Sequence, residues 1–126
     1  MANKRKELTK EERIKKELNR LKKIFKNIPE NSKKSTEGLL ENAAFMRISL
    51  QDLAVDLREN GMTEMFSQGE KTKPYERTRP SADLYNKLNV SYQKCVKQLT
   101  DLLPVNEKVK VQTDDFDDFV NDRKDV

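Results

Sequence analysis

The chain has 126 residues, of which 38% are charged and 34% apolar, against about 25% charged and about 45–50% apolar (glycine included) in an ordinary globular domain. That length suits one domain, or one small domain with tails, and so thin an apolar set predicts a partly disordered chain or a core completed by other copies or a partner. With no His, one Cys and a net charge of +4, the sequence offers no His-activated nucleophile, no His metal ligand, no intrachain disulfide and no Cys-rich zinc site.

The first predicted helix spans about 9–28. Thr9-Lys10-Glu11-Glu12 has capping-box spacing. Ile14, Leu18, Leu21, Phe25 and Ile28 follow in steps of four and three, a seam along one side of a helix, and Pro29 ends it. Arg13, Lys16, Arg20, Lys23 and Lys26 fall together away from that seam, flanked by Lys15 and Lys22. Polar residues are forced to face away from a seam, but nothing forces them all to be basic. A stripe this regular suits a helix lying on a phosphate backbone. A charged, solvated face that binds nothing is the plainer alternative.

Residues 29–35 read as a polar turn in which Ser32 or Ser35 caps the next helix. That second helix, about 35–60, carries Leu39, Ala43, Met46, Leu50, Leu53 and Leu57 at helical spacing. Leu40, Ala44, Phe45 and Ile48 widen its apolar face, which makes it the expected central helix. Ser49 followed by Asp52 allows a restart, hence a kink near Ile48–Ser49. Asn60-Gly61 supplies a left-handed cap.

Residues 62–79 read as a short hairpin or ordered loop. Thr63, Met65 and Phe66 form one limb and Tyr75 to Thr78 the other, with Gln68 to Pro74 as the connector. Arg77 and Arg79 on the return limb read as loop charges in preference to phosphate contacts. Pro80 opens the third helix, about 81–103. Tyr85, Leu88, Tyr92, Cys95, Leu99 and Leu102 form its stripe, broadened by Leu84, Val96 and Leu103, and Pro104 ends it. Cys95 sits among apolar neighbours and reads as a small buried hydrophobe, not a reactive thiol. The expected fold is therefore mainly α, three helices with a short hairpin, followed by an acidic, flexible tail.

That tail holds Asp114-Asp115-Phe116-Asp117-Asp118-Phe119-Val120. Its spacing lacks the ligand pattern and central Gly of an EF-hand, so no metal is expected. Acidic residues alternating with aromatics mark a segment that folds onto a basic, grooved partner, with Phe116 and Phe119 as anchors. A purely solubilising tail, or one that folds back on the basic head and competes with nucleic acid, fits the same residues.

Charge divides the chain into three zones. Residues 1–34 hold 13 basic and 5 acidic residues, net +8; residues 35–104 are net −1; residues 105–126 are net −3. These read as a basic helical DNA-binding region, a helical core and oligomerisation region, and an acidic partner-binding tail. The candidate DNA contacts are Lys4, Arg5, Lys6, Arg13, Lys16, Arg20, Lys23, Lys26, Lys33 and Lys34. Anionic membrane or an acidic protein surface is a lesser alternative for the same charge. Only 3 Gly and 4 Pro argue against a large all-β fold. The sequence has no Gly-rich phosphate loop, no secretory signal pattern and no apolar run of membrane-spanning length. A cytoplasmic, non-enzymatic protein without cofactor is the expectation.

The stretch Gly38-Leu39-Leu40-Glu41-Asn42-Ala43-Ala44-Phe45-Met46-Arg47 resembles the small subunits of phage terminases, of the short type from tailed phages of Gram-positive bacteria. So do Asn60-Gly61 through Met65-Phe66, Tyr75-Glu76-Arg77 with Arg79-Pro80, and Asp101-Leu102-Leu103-Pro104. The likeness covers roughly residues 1–120 and rests on family habits of sequence, not on a catalytic signature. It implies a DNA-packaging protein without activity of its own, working in the host bacterial cytoplasm. Such a protein recognises a packaging site on double-stranded viral DNA, forms a homo-oligomeric ring, and recruits and modulates the terminase large subunit, the ATPase and nuclease. On this likeness Arg13, Lys16, Arg20 and Lys23 are DNA contacts by position. Leu88, Tyr92, Cys95 and Leu99 are core or intersubunit residues, and Phe116, Phe119 and Val120 meet the large subunit. Many members carry an N-terminal helix-turn-helix, and none is legible here. The rival readings are a small helical transcriptional regulator, dimeric through the third helix, and a protein-only adaptor or antitoxin working through the acidic tail.

Overall fold

A computed structural model describes residues 7–106. Its order is α1 (Lys10–Ile24), α2 (Glu30–Asn60), β1 (Thr63–Phe66), β2 (Tyr75–Thr78) and α3 (Pro80–Asp101). The mainly helical fold with three helices and one hairpin is as the residue pattern predicts. The predicted contacts Lys4, Arg5, Lys6, Phe116, Phe119 and Val120 lie outside the described residues.

The Thr9 hydroxyl caps α1, accepting the Glu12 backbone N–H at 3.1 Å, a contact that typically stabilises a helix by about 1 kcal/mol. The helix stops at Ile24, short of the predicted Ile28. Pro29 disfavours helical backbone at Ile28, and the chain tightens into a turn in which Ile28 N–H donates to Phe25 O at 3.3 Å. Phe25 and Ile28 still reach the core, so the seam outlasts the helix that started it.

The polar stretch 30–35, expected as a turn, is the first part of α2. No Gly or Pro interrupts it once Pro29 has fixed the entry. Neither Ser32 nor Ser35 therefore caps the helix: Pro29 holds the cap position and no side chain caps it. The hydroxyls of Ser35 and Thr36 donate back to the carbonyls of Ser32 and Lys33, each at 2.8 Å. The helix then runs unbroken for 31 residues, about 46 Å at the standard rise. The kink anticipated at Ile48–Ser49 does not occur. Ile48, Ser49 and Leu50 are all buried, and packing around this turn overrides the local capping signal. Gly61 ends α2 at φ +81°, its N–H donating to Leu57 O at 2.9 Å. That backbone conformation favours glycine.

The hairpin pairs Thr63 with Thr78, Glu64 with Arg77, Met65 with Glu76 and Phe66 with Tyr75, antiparallel. One face is tied by the Phe66–Tyr75 edge contact, with ring centroids 5.9 Å apart. Arg77 lies 3.6 Å above the Phe66 ring and pairs with Glu64 at 3.1 Å. Arg79 closes the base: its backbone N–H donates to Met62 O at 2.8 Å, and its guanidinium reaches Gly61 O at 2.8 Å and Asp56 at 3.0 Å. Both arginines thus hold the hairpin and its base together.

α2 is the central element, with α1 and α3 each packed on it. Cys95 Sγ donates to Leu39 O and Arg79 pairs with Asp56, so α3 runs antiparallel to α2. Ala43 and Ala44 are fully buried where the helices meet, and small side chains there permit close approach. Around them lie Leu21, Phe25, Ile28, Leu40, Cys95, Leu99 and Leu103. Phe45 is not part of this face: it is half exposed, with Lys10 Nζ 5.3 Å from its ring centre.

Candidate nucleic-acid interface

The seam of α1 fixes which cations face outward. With Leu21 buried and Ile14, Leu18 and Ile24 packed against the core, Lys15, Lys16, Lys22 and Lys23 project into solvent, and Lys26 follows in the turn. Among the described residues none of these five lysines forms an ion pair. They make a cationic face without internal neutralisation, and opposite charge on a partner is the interaction such a face favours.

Arg13 and Arg20 are placed differently. Arg13 Nη1 pairs with Asp52 at 2.7 Å and Nη2 donates to Gln51 at 3.1 Å, which ties α1 to α2. Arg20 Nε contacts Glu17 Oε1 at 2.5 Å and Oε2 at 3.2 Å. Glu17 is 7% exposed, and a buried carboxylate needs such a partner. Lys33 pairs with Glu30 at 3.2 Å on an open surface, a contact worth little, and Lys34 is exposed. The sequence reading missed the part of Lys15 and Lys22 as full members of the outward face. Their positions relative to the seam carry that signal.

Between α1 and α2 runs a groove of about 530 Å³. Arg13, Lys16, Arg20 and Lys23 line one side, Ile48 and Gln51 the other, with Leu8 at one end. Glu17 and Asn19 line it as well, so the groove joins cationic side chains to a carboxylate, to amides and to the apolar Leu8 and Ile48. A second groove, about 420 Å³, lies between α2 and α3 beside Phe45, Met46 and Cys95.

Of the candidate intersubunit residues, Cys95 and Leu99 are buried within the single chain, Leu99 completely. Tyr92 packs against the same core and Leu88 is half-buried. The apolar side chains that α3 presents to solvent are Leu84 and Val90. Burial raises the Tyr92 hydroxyl above its ordinary pKa, with Arg47 beside it opposing the shift. Burial likewise raises the Cys95 thiol, so Cys95 is protonated at neutral pH and has the character of a packed side chain.

Among the described residues no group of three or more His, Cys, Asp or Glu side chains is arranged to hold a metal ion, and no helix is long and apolar enough to cross a membrane. No protein-family model, curated protein or solved structure matches the chain.

Proposed function

We propose that the chain is a non-catalytic DNA-packaging protein, a terminase small subunit that binds double-stranded viral DNA at the packaging site and recruits or regulates the large subunit. The observation that carries the DNA part is the solvent face of α1, where Lys15, Lys16, Lys22 and Lys23 stand unpaired among the described residues. The packaging part rests on the resemblance of the Gly38–Arg47, Asn60–Phe66, Tyr75–Pro80 and Asp101–Pro104 stretches. A ring repeats the lysine face in every copy, so weak phosphate contacts act together at high effective concentration. Exposed Val55, Met62, Met65, Tyr75, Leu84 and Val90 are apolar surface in keeping with contacts between copies. The same chain as a dimeric regulator keeps the lysine face but not the ring.

The test is DNA binding against salt, with the solution mass measured alongside. Four lysines contacting four phosphates give a log–log salt slope of about −3.6 per protomer, or roughly 150-fold loss of affinity from ~50 to ~200 mM salt. Changing Lys15, Lys16, Lys22 and Lys23 to Ala removes that slope while leaving the helical signal intact. Binding that ignores salt, or survives the four substitutions unchanged, refutes the DNA reading. A dimer mass refutes the ring.

A further inference from the structure

The groove between α1 and α2 has features that a bare phosphate surface does not need. Lys16 and Lys23 bring cations without an ion-pair partner among the described residues, while Arg13 and Arg20 line the groove already paired, with Asp52 and with Glu17, the groove's own carboxylate. Its apolar surface comes chiefly from Leu8 at one end, 49% exposed, with Ile48, mostly buried, beside the polar Gln51 on the opposite wall. DNA phosphates use the cations but gain nothing from the apolar side. The complementary occupant carries carboxylates and an aromatic ring within a few residues of each other.

The chain holds one such segment, Asp114-Asp115-Phe116-Asp117-Asp118-Phe119-Val120. We infer that this acidic-aromatic segment occupies the α1–α2 groove of its own chain, its aspartates on Lys16 and Lys23 and a phenylalanine ring against Leu8 and Ile48. Reach permits it. The Leu39–Cys95 and Asp56–Arg79 contacts fix the register of α3 on α2, which brings Leu103 level with about residue 31 of α2. The groove at Ile48 and Gln51 then lies about 26–30 Å further along the helix axis. Leu103 to Phe116 is 13 residues, which span up to about 43–47 Å when extended. A tether of that length holds the segment at millimolar effective concentration. Weak contacts are therefore enough to occupy the groove, and they remain sensitive to salt. The inference stands on the groove and on charge complementarity, and it does not require the DNA reading.

The experiment is zero-length carbodiimide crosslinking of the full chain without DNA, followed by peptide mapping. The expected products join Lys16 or Lys23 to a carboxylate of Asp114–Asp118 within one chain. Their yield falls severalfold between ~0.05 and ~0.5 M salt, as screening requires. It falls likewise when Phe116 and Phe119 are changed to Ala, a variant that keeps every carboxylate. The variant with Asp114, Asp115, Asp117 and Asp118 changed to Asn gives no such products, and both variants keep the helical circular dichroism of the parent. Equal crosslinking to Lys87, Lys94 and Lys97 on α3 would overturn the inference, because it would show proximity without docking. Products that join two chains, or Phe→Ala yields equal to the parent's, overturn it as well.

Discussion

Ser49 lies in the middle of α2 at 9% exposure, and its hydroxyl oxygen has no hydrogen-bond partner among the described residues. Leaving a buried hydroxyl unpaired costs about 1–3 kcal/mol, and Ser is roughly 0.5 kcal/mol poorer than Ala inside a helix. Ser49→Ala removes one oxygen and no carbon, so little packing is lost. The net expectation is a stabilisation of about 1–2 kcal/mol, a rise in Tm of roughly 5–10 °C for an ordered body of this size. Thr36→Ala is the matched control. Thr36 is 2% exposed and its hydroxyl donates to Lys33 O at 2.8 Å. Its loss removes a satisfied bond and a buried methyl, for a net cost of about 1 kcal/mol after the helix preference of Ala. Thermal unfolding followed by far-UV circular dichroism, at several protein concentrations, compares the two. Opposite signs are expected. A loss of stability in Ser49→Ala comparable to that in Thr36→Ala would refute the assignment of an unpaired hydroxyl.

Three further outcomes follow from the same geometry. A Cβ at Gly38 or at Gly61 meets nothing within 4 Å, so only the backbone decides: Gly38→Ala inside α2 gains up to about 1 kcal/mol, whereas Gly61→Ala at φ +81° loses about 1–2 kcal/mol, both read from denaturant midpoints. Hydrogen bonds from Arg79 and then Asn60 hold the Asp56 carboxyl below its ordinary value of 3.8. The folded chain thus releases that proton more readily than the unfolded one. The contribution of Asp56 to stability is complete above 3.8 and disappears as pH falls through the lower folded value, so Asp56→Asn should flatten the acid limb of stability against pH. Cys95, with its thiol pushed above the ordinary 9.0 by burial, should react with a thiol reagent far more slowly in the folded chain than in the unfolded one. Rapid labelling of the folded protein would contradict its place in the core.

The parts of the fold legible in the sequence are those where one residue type settles the backbone or where apolar residues recur at helical spacing. Pro80 at the start of α3, Gly61 after α2 and the limbs Thr63–Phe66 and Tyr75–Thr78 are of this kind. Residues 30–35 are not, because a polar stretch without Gly or Pro is equally compatible with a turn and with an exposed helical turn. Phe45 misleads for a related reason. Apolar type argues for burial, yet its position at the margin of the α2 stripe leaves it half exposed. Ser49 shows the converse: a residue favoured at helix starts is retained mid-helix because Ile48 and Leu50 on either side are buried.

The candidate site divides along the same line. Helical spacing puts Arg13, Lys16, Arg20 and Lys23 in one row, but spacing is silent on carboxylates from elsewhere. Asp52, 39 residues away, takes Arg13, and Glu17, drawn into the interior, takes Arg20. Both arginines are thereby drawn into ion pairs, while the outward face is filled by Lys15, Lys16, Lys22 and Lys23. That substitution of residue type matters for the proposed DNA contact. Arginine reads guanine edges with a rigid, bidentate fork, whereas lysine is a mobile, strongly hydrated point charge. A lysine-only face suits phosphates, which position a protein without reporting sequence. On the proposed reading, preference for a packaging site then comes from how readily a DNA segment follows the repeated faces of a ring, through its curvature and flexibility. Lysine-to-arginine exchange across the four positions should therefore preserve both affinity and site preference.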